Sequence, residues 1–531
     1  MGIPSFYRRL SIAHKGLIGK DHGTKTAALY FDFNCLIYTV ARLPTMPVYS
    51  ADTHKEWETA LLNEVARYIG KVWAAAGSPP EVFLSVDGVV PVAKIKQQRL
   101  RRFKSAWLVK EEVARGIRVA GESWDTNAIT PGTQFMDALG KKLQEVCQKH
   151  GKGWSVSTSD EPGEGEHKIM VKLRSRLPSS YDGSILIYGL DADLILLTLL
   201  NGVNRGFSCY LMREDAEFGK KADTLDEFSY LNMNTLPALL WKDYKSLTPE
   251  QQARRIQTYV AGMSLLGNDF LPHSMSIHVR EDGHELLSRE LQALEKEELY
   301  LLKPNAEGLQ EINIECLTRI LSSWSTLEED LILQCIRKKQ TMKSTVVQVD
   351  PEQVLQALPL EWGVERECVV WKKQEDGKSR ISFAPTWKQI YREKWLDGVS
   401  LQDLTAQYIF GLQWIFDYYS GQRRISNTWM YPCTLPPLWS DIVAHMPTQV
   451  PYHLSPPIEI IEPQQQLSMV LPLTSWYLIR NTKLRNIPMI YPQYWPSKFS
   501  FVSVGKRMLW ECEPHICHLP VSVVVNTLKT V

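Results

Sequence analysis

The chain has 531 residues, 44% of them hydrophobic and 22% charged, with nine cysteines that form no repeated CxxC pair. This excludes a collagen-like or intrinsically disordered chain, argues against a disulfide framework, and leaves room for two or three packed units. Sixty Lys+Arg against 59 Asp+Glu give a net charge of +1, so any nucleic-acid site must come from local charge separation and not from bulk attraction.

The first residues, Met-Gly-Ile-Pro-Ser-Phe, lack the apolar core of a signal peptide, and Phe6 stands where a myristoylation signal needs Ser or Thr. No apolar stretch reaches the roughly 20 residues of a spanning helix. A soluble intracellular protein, with no membrane association, is expected. Residues 27–31, 82–86 and 185–190 are short apolar runs, followed by Asp32, Asp87 and Asp191. Each reads as a buried strand of parallel type, and the helical patterning over 57–76 and 132–150 makes the first part an α/β unit with helices flanking a mostly parallel sheet. In such sheets ligands bind beyond the carboxyl ends of the strands, where these aspartates fall. We take 1–341 as this unit, 342–386 as a connecting region of mixed charge, Pro and short β-like runs, and 387–531 as a second unit. The second unit is rich in aromatics, helical at first and irregular towards its end. No internal repeat is evident. Cys512, His515, Cys517 and His518 form the densest group of zinc-type ligands, but they lack finger spacing and ordinary packing is the preferred reading.

Seven acids carry the chemistry: Asp32, Asp87, Glu164, Glu166, Asp191, Asp193 and Asp269. Read as a strand end, Asp191 and Asp193 project to one side. Glu164 and Glu166 lie among glycines where a helix begins, and Asp269 lies in a turn after Gly267-Asn268. Singly, each fits a cap or a turn residue. Together they cannot stay ionised side by side without cations, and hard oxygen ligands select Mg2+, with Mn2+ as a substitute. Two such ions suit phosphodiester hydrolysis. Between Gly88 and Lys110 there is no acid, while Lys94, Lys96, Arg99, Arg101, Arg102, Lys104 and Lys110 make an uncompensated positive patch. If 94–105 is helical, Lys94, Gln98, Arg101 and Arg102 line one face and can grip a phosphate beside the metals. A solvated charged face or a nuclear-import cluster are the plainer readings.

These residues resemble the Xrn-type 5′-to-3′ exoribonucleases of the flap-nuclease and PIN-like superfamily. The likeness runs through Leu29-Tyr-Phe-Asp-Phe-Asn34, Ser85-Val-Asp-Gly88, Ala93-Lys-Ile-Lys-Gln-Gln-Arg-Leu-Arg-Arg-Phe103, Ile129-Thr-Pro-Gly-Thr133, Pro162-Gly-Glu-Gly-Glu-His-Lys168, Tyr188-Gly-Leu-Asp-Ala-Asp193 and Gly267-Asn-Asp-Phe-Leu-Pro272. It continues more thinly in Gly411-Leu-Gln-Trp414, Tyr418-Tyr419 and Trp429-Met-Tyr-Pro432. The resemblance implies that all seven acids hold metal and that Lys94, Gln98, Arg101 and Arg102 form a 5′-monophosphate pocket. It also implies a base sandwich in which Trp429 matches the family Trp while Tyr38 replaces the family His. The expected activity is processive release of mononucleotides from 5′-monophosphorylated single-stranded RNA. The setting it implies is cytoplasmic mRNA decay or RNA turnover beside decapping or other RNA-decay proteins, with a nucleus or a viral factory as other locations. The long C-terminal extensions of larger members are absent. The rivals are a flap-type endonuclease on DNA and a catalytically silent RNA-binding or structural member of the family.

Overall fold

Why the sheet forms can be read along strand β2 (Thr26–Asp32), where nearly every side chain is buried and successive residues leave on opposite faces. Ala28 and Tyr30 enter one apolar core while Leu29 and Phe31 enter the other. The computed structural model describes residues 6–215, 227–341, 365–373, 379–506 and 508–529. In it β2 lies in a seven-stranded sheet with β1 (Ile18–Gly19), β3 (Glu81–Ser85), β4 (Trp154–Ser157), β5 (Ser184–Tyr188), β6 (Cys209–Glu214) and β7 (Phe228–Asn232), in the order β1-β7-β6-β5-β2-β3-β4. The run from β6 to β4 is parallel, and β7 and β1 join antiparallel at one edge. Strands with apolar side chains on both faces need helices on both faces, which is why the parallel part is sequence-legible as continuous apolar runs.

The chain winds outward from β2 through β3 to β4 and then returns to place β5 on the other side of β2. Helices on the two sides leave a crevice at such a reversal. Asp32 ends β2 beside Ser85, and Tyr188 ends β5 beside Phe31, so the acids expected at strand ends fall at this crevice.

The long helix Val92–Ala114 follows β3, and a third core joins its Val92, Ile95, Leu100 and Phe103 to Leu467, Val470, Leu471, Leu484 and Trp495 of the C-terminal region. Helix Leu401–Ser420 packs against Asp193–Asn201 in the first core; Ser400 caps its start and Gly421, at φ 65°, ends it in the left-handed conformation. Beyond it the chain is a series of short helices and turns, as expected. Of the connecting region, 342–364 and 374–378 lie outside the described residues; Val369–Lys373 and Ser379–Phe383 pair as an antiparallel hairpin. Among the described residues no helix is long and apolar enough to cross a membrane.

The basic segment is helical, as expected, but three of its bases are turned to backbone carbonyls and not to solvent. Lys96 donates to the carbonyls of Tyr431 and Cys433, and Lys104 to those of Leu509, Trp510 and Cys512. Arg99, only 1% exposed, reaches the carbonyls of Met469, Tyr494 and Cys517 and lies against the Phe103 and Trp495 rings. These three bases serve as bolts between the helix and the C-terminal region. Arg99→Met leaves several buried carbonyls without donors, and we expect it to lower unfolding stability by about 2–4 kcal/mol. Chemical denaturation checks this, and an unchanged midpoint would show that the guanidinium contributes nothing to the junction.

Candidate active site

Two glycines let the acids approach. A Cβ on Gly165 would stand 2.6 Å from the Ser85 carbonyl and 2.8 Å from Asp32 Oδ1, and one on Gly189 would stand 2.3 Å from Leu194 Cδ1. Only glycine therefore allows the Glu164-Gly-Glu166 turn to lie over the ends of β2 and β3. The Gly165 N–H donates to Asp87 Oδ1 at 2.6 Å, Ser85 Oγ donates to the Gly165 carbonyl at 2.7 Å, and Asn34 Oδ1 accepts from the Asp87 N–H. Glu164 then occupies the cap position of helix Gly165–Arg174, with Glu166 in its first turn. One expectation is corrected: β5 stops at Tyr188, so Asp191 and Asp193 are not alternate residues of a strand. Gly189 turns the chain, Asp191 lies in the turn, and Asp193 opens helix Asp193–Asn201.

Oxygens of Asp32, Glu166 and Asp191 lie within 4.8 Å of one another, and Glu164, Glu166 and an imidazole nitrogen of His167 form a second such group. Lys94 Nζ ties in the remainder, at 2.5 Å from Glu164 Oε2 and 2.8 Å from Asp269 Oδ2. Gln97 Nε2 donates to Asp269 Oδ1, and the Tyr418 hydroxyl donates to Glu164 Oε1 at 2.7 Å. Five of the seven predicted acids are thus linked by close approach or through Lys94, and Asp87 and Asp193 act on Asp32 electrostatically.

Burial first, then the neighbouring carboxylates, holds Asp32 and Glu166 well above the usual carboxylate range. Burial, followed by Asp191, pushes Asp193 up to about 7. For Lys94 burial acts against the charge, but Asp269, Glu164 and Glu166 outweigh it and raise its pKa well above the ordinary lysine value. One ammonium cannot neutralise so many acids. Asp193 Oδ1 is buried without a hydrogen-bond partner among the described residues, and the donors are hard oxygens, so the residues present fit divalent cations of the magnesium type.

On the helix face beyond Lys94, Gln98 is half-buried within 3.5 Å of the Gln466 amide, Arg101 is exposed, and Arg102 is half-buried. Arg102 Nη1 donates to Asn127 Oδ1 at 2.6 Å, while its buried Nε has no partner among the described residues. Tyr38 is half-buried at the edge of the second core. Trp429 is 2% exposed: its ring lies 5.0 Å from Trp414 and 5.7 Å from Phe410, Gly411 leaves room for it, and its Nε1–H donates to Gln407. It has no face open to a base in this structure. The Cys512, His515, Cys517 and His518 group does not converge: Cys512 is buried while His515 and Cys517 are exposed, the alternation of an extended segment.

Residue-level reading missed His167, Tyr418 and Gln97. His167 stacks on Tyr418 with centroids 3.7 Å apart and planes at 22°. The adjacency of His167 to Glu166 was visible, but the tyrosine stands more than 250 positions away and nothing local couples them.

Comparison with known proteins gives one family and three relatives. The family described as XRN 5′-3′ exonuclease N-terminus matches residues 1–215. Human 5′-3′ exoribonuclease 1 is 27% identical over 96% of this chain, which covers 33% of the human protein. The 5′-3′ exoribonuclease 2 of Debaryomyces hansenii is 31% identical over 62% of the chain and 39% of its own length, and the 5′-3′ exoribonuclease 1 of Saccharomyces cerevisiae is 30% identical over 54% and 20%. The chain spans at most about two fifths of these relatives.

The crowded carboxylates make stability depend on pH. Because the folded carboxyls hold protons that the unfolded chain has released, metal-free protein loses stability as pH rises from about 4, the ordinary carboxylate value, to about 7, where Asp193 sits. Thermal unfolding in chelator should therefore show a midpoint a few degrees higher at the acid end of that window than above it, and magnesium should raise the midpoint most above it. A midpoint that climbs through the window would contradict the assignment.

Proposed function

Because the chain belongs to the XRN 5′-3′ exoribonuclease family, we propose that it is a magnesium-dependent nuclease that removes nucleotides one at a time from the 5′-monophosphate end of single-stranded RNA. The observation that carries this reading is the continuity between the acid network and the basic helix: Lys94 touches Glu164 and Asp269 and also begins the face that runs to Gln98, Arg101 and Arg102. A terminal phosphate held on that face lies one nucleotide from a phosphodiester at the acids, which sets the size of the product.

In this reading Arg101 and Arg102 supply forked donors to the phosphate, and the unpartnered Nε–H of Arg102 is a donor awaiting an acceptor. A cap or triphosphate is too bulky for the same position. Tyr38 offers a partly exposed ring on which the first base can stack. The matching role for Trp429 requires the ring to leave its contacts with Trp414 and Phe410. Asp32, Asp87, Glu164, Glu166, Asp191, Asp193 and Asp269 would hold magnesium, or manganese in its place. When bound, such ions lower the pKa of water and offset charge on the phosphodiester. The seven carboxylates themselves fix the position of the scissile bond, and Lys94 orients Glu164 and Asp269 while it waits for phosphate. Cytoplasmic RNA turnover, beside decapping or other decay proteins, is the setting this activity suits.

Asp191→Ala combined with Asp193→Ala should abolish release of mononucleotides while binding of the same RNA in a filter assay stays measurable. Persistent turnover would remove the metal assignment. Arg101→Ala should reduce the preference for 5′-monophosphate over 5′-hydroxyl RNA by about tenfold or more. An unaltered preference in competition kinetics would place the phosphate elsewhere.

A further inference from the structure

Next to the phosphate face stands a residue that is neither an acid of the site nor a base. Asn127 lies in the short 3-10 turn Thr126–Ala128, and its carboxamide bridges two parts of the chain far apart in sequence. Asn127 Oδ1 accepts from Arg102 Nη1 at 2.6 Å, and Asn127 Nδ2 donates to Ser475 Oγ at 2.8 Å. Arginine can only donate, so the amide must face it with its oxygen, and the hydroxyl of buried Ser475 holds the amide in that orientation. The turn is itself fixed. Asp125 Oδ1 caps it by accepting from the Asn127 N–H at 3.0 Å, and Thr130 Oγ1 donates to the Asn127 carbonyl at 2.7 Å. Asp125 also accepts from the Tyr477 hydroxyl at 3.1 Å, so the segment that carries Ser475 is tied to the turn twice.

The choice of a neutral amide matters. A carboxylate at position 127 would meet the guanidinium at hydrogen-bond distance and neutralise it, as Glu328 and the other buried acids of the chain show that carboxylates are tolerated where donors surround them. An amide directs the fork without consuming its charge. Arg102 is left aimed, positively charged, and with a buried Nε–H that no group among the described residues accepts.

We infer that Asn127, anchored by Ser475, is a positioning residue that presents Arg102 to the 5′-phosphate without pairing it to a carboxylate by hydrogen bond, and so sets how strongly this chain discriminates 5′-monophosphate from 5′-hydroxyl ends. This rests on the phosphate-end reading above. Asn127→Asp is close to isosteric and converts the director into a neutraliser. Ser475→Ala removes the acceptor that anchors the Nδ2 end of the amide and so loosens its hold on Arg102, and Ser475→Thr restores the hydroxyl.

The test is the ratio of dissociation constants for a 3′-labelled oligo-uridine carrying a 5′-hydroxyl or a 5′-monophosphate, measured by fluorescence anisotropy in calcium. Wild-type, Asn127→Asp, Ser475→Ala, Ser475→Thr, Arg102→Ala and Arg102→Ala/Asn127→Asp proteins are compared after thermal unfolding has confirmed folding. The ratio should fall about tenfold or more in Asn127→Asp, approaching that of Arg102→Ala. It should fall partly in Ser475→Ala and recover in Ser475→Thr. In the Arg102→Ala background Asn127→Asp should have no further effect. A wild-type ratio near one overturns the phosphate-end reading itself. A clear wild-type preference that Asn127→Asp leaves intact, or that it reduces equally without Arg102, overturns the role given to Asn127 and leaves that reading standing.

Discussion

A buried ammonium, that of Lys94, lies between Glu164 and Asp269, and much of the molecule is arranged around the charge it balances. Burial first, and then repulsion between neighbouring carboxylates, holds several of the seven acids near protonation. Such an arrangement is stable only if other energy forces it together. Here that energy is the burial of β2, β3 and β5 between two apolar cores, which fixes where their ends point whatever charges those ends carry. The strain in the charge distribution is relieved in part by Lys94, and bound divalent cations would relieve the remainder.

Helix Val92–Ala114 converts this arrangement into a site with a direction. One face carries Lys94, Gln98, Arg101 and Arg102; the other carries Lys96, Arg99 and Lys104, whose partners are backbone carbonyls of the C-terminal region. The same element thus joins the acids to the face of Gln98, Arg101 and Arg102 proposed to hold the phosphate, and locks both to the rest of the chain. The C-terminal region contributes more than cover. Tyr418 holds Glu164 and stacks on His167, and Ser475 orients Asn127 beside Arg102. Asn201 accepts from Arg174 and donates to the Tyr419 carbonyl, which fastens together the far ends of the three helices that carry Glu166, Asp193 and Tyr418.

How much of this was legible in the sequence follows from the range of each interaction. The strands ending at Asp32, Ser85 and Tyr188 could be read because a parallel strand covered on both faces leaves an unbroken apolar run; edge strand β4, Trp-Ser-Val-Ser and mostly half-buried, leaves none. The acids were legible by type and position, but the local geometry of Asp191 and Asp193 was not, since Gly189 ends the strand before them. Charge counting found the basic helix and could not tell which bases look inwards, because the carbonyls that bind Arg99 lie some 370 to 418 positions away. Trp429 was legible as a residue of the motif, yet its burial under Trp414 depends on helix packing that a motif does not encode. Resemblance named candidate residues; only three-dimensional contacts show which of them come together at the crevice.

The central claim is that the acid network and the phosphate face act on one RNA end. It is tested most directly by incubating purified protein with single-stranded RNA bearing either a 5′-monophosphate or a 5′-triphosphate, with and without magnesium, and following the products on a sequencing gel. The account predicts mononucleotides from the monophosphate RNA alone, and only when magnesium is present. Intact RNA under every condition, or equal cleavage of both RNAs, would contradict it.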